Sequence, residues 1–397
     1  MNRQNRAQLL DGLDIENLRG VEIGPLINPT VRKDESEVYY VDRATTEQLK
    51  VWYARDEKLN VDDIVDVDFV WGEQTLKEAT GEHNPFDYCV ASHVLEHIPD
   101  LITWLKEIAS ILKPKGIACF AVPDRRFTFD YLRSCTELPE LLENYFRKLR
   151  KPSTRHIFDH FSNQVELNIG EVWSGEFSDH RLVPIYPESM AFSACINAIE
   201  EDSYVDSHCS VFTQYSFGEI LKSLANLGLM DFKIRNLFGV IEGRLEFIVQ
   251  LEKLDDSLSP EQKREEFFSA YHQKIMELKL VLQSSRACNS KVYWARKGEG
   301  FSESRTACDL YAKPNQTVEL NFLVPNIDDI VLRFDPCNHA GNLFIRDIKV
   351  VKDGITENID LRCIKPIQDI KSCVPTGDVL HVVTVDDAID PSLSIQM

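Results

Sequence analysis

Across residues 18–122, short apolar runs alternate with helix-like patterns, and this alternation constrains the fold more than any other feature of the chain. Runs at 20–24, 38–42, 64–70, 86–91 and 116–122 have the length and composition of buried strands. Between the last two, Leu101, Trp104, Leu105, Ile108, Ile111 and Leu112 recur at helical spacing, and Lys113-Pro114 with Gly116 supply a stop. Strand and helix in alternation predict a mostly parallel sheet with helices on its faces.

The ends of the first two strands carry the chemistry. Val21-Glu22-Ile23-Gly24-Pro25 is an apolar strand running into a tight turn, where glycine lets the backbone approach a ligand closely. The second strand, Val38-Tyr39-Tyr40-Val41-Asp42, ends in an acid. In a doubly wound sheet that acid lies at the neighbouring strand's carboxyl end, where it can accept both hydroxyls of a ribose. A dinucleotide site would need G-x-G-x-x-G, and only Gly24 of that pattern is present, so a nicotinamide cofactor is disfavoured.

The run Ala91-Ser92-His93-Val94-Leu95-Glu96-His97, after the strand at 86–91, closely resembles class I methyltransferases, and the resemblance spans residues 18–251. It implies a Rossmann-like, seven-stranded, mostly parallel sheet and S-adenosylmethionine as cofactor. The cofactor residues it implies are Glu22, Gly24 and Pro25 in the first loop, Asp42 for the ribose, Trp71 and Glu73 beside the adenine, and Ala91, Ser92 and His93 beside the methionine. Leu26 and Asn28 stand where many relatives have glycines. His97 is read as fixing the start of the following helix.

Regular alternation is lost from Phe129 to Phe212, and a connection this long is usually functional or a subdomain. Order returns with a helix at Ser216, where Ser216 and Glu219 have capping-box spacing. Strands near 232–237 and 245–251 are the expected antiparallel closing pair. Residues 1–255 are thus one domain with an insertion at about 130–212, residues 256–288 a helical linker, and residues 289–397 a small β-sandwich of alternating strands such as Val318, Leu320, Phe322 and Val324.

The acceptor side is expected after the fifth strand, where Asp124, Arg125 and Arg126 are candidates to bind an anionic or hydroxyl-rich substrate. Methyl transfer to a hydroxyl gains from a general base, and a histidine oriented by a carboxylate is the natural choice. Asp159/His160, Asp179/His180 and Asp206/His208 are such pairings, so His160, His180, His208 and Asp159 join His93 as catalytic candidates. A metal-binding set drawn from the same residues is the alternative, but no diagnostic ligand spacing supports it and no metal is expected. Arg147, Lys148, Arg150, Lys151 and Arg155 form a basic cluster that suits a phosphate, or a solvated helix end.

The first-domain motifs with Asp159-His160-Phe161 resemble a bacterial subfamily linked to surface-polysaccharide synthesis. Val292-Tyr293-Trp294, Gly298 to Phe301 and Leu332-Arg333-Phe334-Asp335-Pro336 resemble a β-domain attached to bacterial glycosyltransferases. These imply an O-methyltransferase acting on a glycan or glycan-lipid acceptor, with glycosyltransferases of the same pathway as partners. A small-metabolite methyltransferase and a catalytically silent glycan-assembly adaptor are the alternatives. A net charge of −20 disfavours broad binding to nucleic acid. Ten cysteines without a CxxC spacing fit a reducing compartment. With no apolar signal core or transmembrane run, the chain reads as a cytoplasmic enzyme, at the inner membrane if the acceptor is lipid-linked.

Overall fold

The structure, a computed structural model, describes residues 3–56, 59–174, 182–302, 305–311, 314–388 and 390–395, with residues 310 and 311 described by backbone alone. Its first part is built on β1 (Arg19–Ile23), β2 (Glu37–Asp42), β3 (Phe69–Val70), β4 (Phe86–Ser92), β5 (Leu112–Pro123), β6 (Phe232–Phe238) and β7 (Glu246–Lys253). Their order is β3-β2-β1-β4-β5-β7-β6. The first five pair in parallel and β7 is antiparallel to both neighbours, giving the expected closing pair. The chain winds outward in both directions from β1 and β4. Ligands in such sheets bind outside the strand carboxyl ends at that switch point.

Helices α1 (Arg3–Leu9), α2 (Thr46–Tyr53), α3 (Leu76–Thr80) and α4 (Leu101–Ile111) flank this half. α4 starts on Asp100, whose side chain accepts from the Thr103 amide, and it buries Leu101, Leu105 and Ile108 in the core with Phe120. The insertion folds as α5 (Leu138–Arg147), α6 (Thr154–Asn163), α7 (Ile169–Ser174) and α8 (Glu188–Glu200). α9 (Gln214–Asn226) then returns the chain to the sheet.

Three local expectations need correction. The strand expected at 64–70 shortens to Phe69–Val70, because the Asp68 carboxylate and amide both bond to the Tyr40 backbone, replacing ladder pairing with a side chain. α9 begins three residues early: Thr213 and Ser216, not Ser216 and Glu219, form the capping box. The helical linker expected over residues 256–288 holds helix only to Lys274, as α10 (Pro260–Lys274), and Ile275–Ser284 is strand β8. Apolar residues at 268, 271, 275 and 278 mimic a helix, yet Met276, Leu278, Leu280 and Leu282 alternate with period two and are all buried.

The rest is two antiparallel sheets. β10 (Thr306–Tyr311), β9 (Cys288–Arg296), β12 (Ile330–Asp335), β18 (Ser392–Ile395) and β15 (Ile364–Gln368) form one in that order. β11 (Thr317–Pro325), β8, β13 (Asn342–Lys352), β17 (Val379–Thr384) and β16 (Ile370–Thr376) form the other, with β14 (Ile355–Asn358) paired to β13. Leu280, Phe322, Phe334 and Leu393 lie in the core they share. The sandwich is also fused to the first domain: Cys308 and Leu323 sit in the same cluster as Phe217 and Leu221 of α9. Gly218 permits that approach, since a Cβ there would lie 3.2 Å from Leu323 Cδ1. Among the described residues, no helix is long and apolar enough to cross a membrane.

Candidate active site

The sheet's register brings the predicted cofactor residues to one edge. The Gly24 amide donates to the Val41 carbonyl (2.8 Å) and the Trp71 amide to the Asp42 carbonyl (2.7 Å), so the backbone ties the ends of β1, β2 and β3 together. Gly24 has φ +65° and a Cβ would stand 2.8 Å from Val94 Cγ2, so turn geometry and close packing both require glycine. Leu26 and His93 are also left-handed, at φ +45° and +56°. Strain of this kind gathers at ligand loops. Asp42 is half-buried at the tip of β2 with Oδ1 on the Arg43 amide, and burial raises its pKa above the ordinary aspartate value. Ala91 and Pro25 are buried, Ser92 and Trp71 half-buried, Glu73 exposed. Arg150 from the insertion clips the adenine-side loop through the Gly72 carbonyl (2.7 Å).

Glu22 anchors the loop that follows Gly24. Its carboxylate is 1% exposed and accepts from the amides of Thr30 (2.7 Å) and Val31 (2.9 Å). Each oxygen thereby takes one backbone amide. Burial pushes its pKa up to about 7 against the pull of those amides.

Beside His93 a cavity of about 370 Å³ opens, walled by Pro123 and Phe129 from β5 and its exit, Leu167 and Ile169 from the insertion, and His97 and His208. The two histidines meet edge to face, ring centroids 4.6 Å apart. His97 Nδ1 lies 3.0 Å from Asp206 Oδ1. His208 Nδ1 lies 2.5 Å from Asp130 Oδ2. Arg133 holds the second Asp130 oxygen (2.8 Å) and donates to the His208 carbonyl (2.9 Å). Burial alone would lower the His97 pKa, but the Asp206 bond and nearby carboxylates outweigh it and leave it raised. Burial likewise opposes ionisation of Asp130 and Asp206. The bond to His208 and the Arg133 charge overcome it at Asp130, and the bond and charge of His97 with Arg43 do so at Asp206, holding each at about 2.

The carboxylate–histidine pairs are therefore not the sequence neighbours. Asp206 serves His97, and His208 is served by Asp130, 78 positions away. Asp159 and His160 diverge because consecutive helical side chains point about 100° apart. Asp159 binds Arg133 and Asn163, while His160 sits behind His208, its Nδ1 accepting from the His208 amide at 3.2 Å. Burial, then the neighbouring His208, lowers the His160 pKa to about 4. Asp159 and His160 are corrected to supporting residues; His93 and His208 line the cavity. His180, with Asp179, lies outside the described residues. Sequence reading missed Glu96, His97 and Arg133. The Leu-Glu-His run was visible, but what it faces depends on a segment more than a hundred residues later.

Of the three substrate candidates after β5, Asp124 and Arg126 are bonded to each other and to the neighbouring backbone. Asp124 is fully buried and takes the fork of Arg126 (2.8 and 2.7 Å) and the Gln214 amide. Arg126 extends to the Cys308 carbonyl and to Asp309 (3.1 Å), pinning the β5 exit to the sandwich. Arg125 donates to the Tyr131 carbonyl. The basic cluster is dispersed too: Arg147 pairs with Glu143, Lys151 with Asp202 and Arg155 with Glu140. In the sandwich, Tyr293 is buried beneath Arg333, and Trp294 lines a small crevice with Leu237 and Leu323, at the seam with the first domain.

Residues 19–188 match a family model described as a methyltransferase domain. No curated protein matches the chain. Among solved structures, the chain is similar to the CurJ carbon methyltransferase at 13% identity, covering 63% of this chain and 54% of that one, with a TM-score of 0.30. An S-adenosylmethionine-dependent methyltransferase from Mesorhizobium loti is similar at 10% identity, 63% and 96% coverage and a TM-score of 0.33. One from Aquifex aeolicus is similar at 12% identity, 63% and 89% coverage and a TM-score of 0.31. The chain thus spans about half the length of the CurJ enzyme, and scores of this size carry no functional weight. Residues 19–188 thus carry the match to a methyltransferase domain, and the sheet order β3-β2-β1-β4-β5-β7-β6 is the seven-stranded arrangement expected for that fold. Gly24, Asp42 and the loop at 91–93 lie together at the carboxyl ends of β1, β2 and β4.

Proposed function

We propose that the protein is an S-adenosylmethionine-dependent methyltransferase that transfers the methyl group to a hydroxyl oxygen of a glycan or glycan precursor. The observation that carries this reading is the pair of carboxylate-anchored imidazoles, His97 on Asp206 and His208 on Asp130, meeting in one cavity beside the methionine-side loop. Attack on a sulfonium-activated methyl carbon needs alignment above all, which supplies roughly 7–11 kcal/mol. An alcohol acceptor also needs a place for its proton, and His93, His97 and His208 all line the cavity. The remaining wall, Phe127, Phe129, Leu167 and Ile169, is apolar. Sugar rings present both kinds of surface. The resemblance of both domains to proteins of polysaccharide assembly supports the glycan class.

The test supplies methyl-labelled S-adenosylmethionine to purified enzyme with an extract of the source cell and follows the label. Label in the polysaccharide or lipid-linked sugar fraction, lost in His208→Ala, is the expected result. Label confined to small metabolites refutes the glycan class, and no label in any fraction refutes turnover.

A further inference from the structure

His97 and His208 share one wiring. In each, a carboxylate sits on Nδ1, which in the neutral ring favours the tautomer protonated there, with the lone pair on Nε2. Histidines that bind metal are oriented in this way by a carboxylate behind the ring. Between them lies Glu96, 2% exposed, its Oε1 4.0 Å from His97 Nε2. Among the described residues its Oε2, buried in the same wall, has no hydrogen-bond partner. Oε1 also lies 3.8 Å from His93 Nδ1, so the carboxylate has long imidazole contacts on one oxygen and none on the other, and a buried oxygen left so is costly unless something cationic meets it. One ligand atom each from Glu96, His97 and His208 lie within 4.8 Å of one another.

We propose that Glu96, His97 and His208 hold a divalent transition-metal cation on which the acceptor oxygen binds. This rests on reading the cavity as the acceptor site. Two imidazoles and one carboxylate suit Mn²⁺, Fe²⁺, Co²⁺ or Zn²⁺ better than Ca²⁺ or Mg²⁺. Bonds of about 2.0–2.2 Å require the three groups to draw in by roughly an ångström. The neighbouring set Asp130, His160 and His208 is closed. There both Asp130 oxygens are taken, His160 Nδ1 accepts from a backbone amide, and Arg133 repels a cation.

Coordination makes the acceptor hydroxyl more acidic. Its proton is released to solvent water. The oxygen then bonds to the methyl carbon as the carbon–sulfur bond breaks. The sulfur keeps that electron pair, and S-adenosylhomocysteine leaves with no net redox change.

The full-length protein is dialysed against a chelator and titrated with Mn²⁺, followed by electron paramagnetic resonance, and with Zn²⁺, followed by calorimetry. One equivalent per chain is expected, weakened at least tenfold in Glu96→Gln and in His208→Gln, and changed less than threefold in His160→Gln. S-adenosylmethionine binding by the same variants verifies folding, and His208→Gln serves if Glu96→Gln does not fold. Wild-type protein that binds cofactor but takes up neither cation stoichiometrically overturns the proposal, as does undiminished binding in folded Glu96→Gln or His208→Gln. The readout is cation occupancy, so failure of the glycan reading leaves this result separate.

Discussion

The strand edge around Gly24 and Asp42 and the cavity lined by His93, His97 and His208, which we read as the cofactor edge and the acceptor cavity, are built differently. The edge is a product of strand register: Gly24, Asp42 and Trp71 come together because backbone bonds tie the ends of three parallel strands. The cavity is a product of side chains drawn from 93–97, 123–133, the insertion and 206–208, held by buried carboxylate partners. The first is fixed by the sheet, and the second depends on each charged partner being present. Disturbing the two should therefore have separable consequences.

The largest effect is expected where a buried charge loses its partner. Asp130→Ala leaves Arg133 without its buried carboxylate and His208 unanchored, and should cost about 3–5 kcal/mol in chemical denaturation. A loss under about 1 kcal/mol would show that the cavity is not held this way. Next comes His208→Ala, which should lower turnover by at least ~10²-fold, the size of a lost proton-transfer or acceptor-activating group. Turnover within tenfold of wild type would remove His208 from the chemistry. On the other edge, Gly24→Ala places a Cβ against Val94 at positive φ, with about 1–2 kcal/mol of backbone strain. That should weaken cofactor binding about tenfold while a saturating cofactor concentration restores turnover; unaltered affinity contradicts the close approach. The smallest effect is predicted for Arg155→Ala, which loses only an exposed pair with Glu140 and should shift stability by less than ~1 kcal/mol and turnover not at all. A large loss of activity would revive the basic cluster as an acceptor site.

The same contrast explains what could be read from the chain. Strand–helix alternation, Gly24 and Asp42 are local signals, and the sheet realises the strands expected at 20–24, 38–42 and 86–91 within a residue. Failures came where one pattern imitates another, as in β8, or where a side chain replaces the backbone ladder, as at Asp68. In the cavity, residue types were legible and partnerships were not. Asp206 beside His208 looks like a dyad, yet each finds its partner more than seventy residues away. Arg125 and Arg126 at a strand exit look like substrate contacts. Arg126 instead spends its charge on Asp124 and on the sandwich, a domain whose position no local pattern encodes.

The central claim is that cofactor binding and acceptor chemistry reside on separate constructions. Calorimetric titration of S-adenosylmethionine into wild type, Asp42→Ala and His208→Ala tests it most directly. Loss of a charged acceptor for the ribose hydroxyls is worth about 1.5–3 kcal/mol per bond, so Asp42→Ala should bind at least tenfold more weakly. His208→Ala should match wild type within about threefold, because nothing at the cofactor edge leans on it. Equal affinity in Asp42→Ala, or an equal loss in folded His208→Ala, would contradict the account.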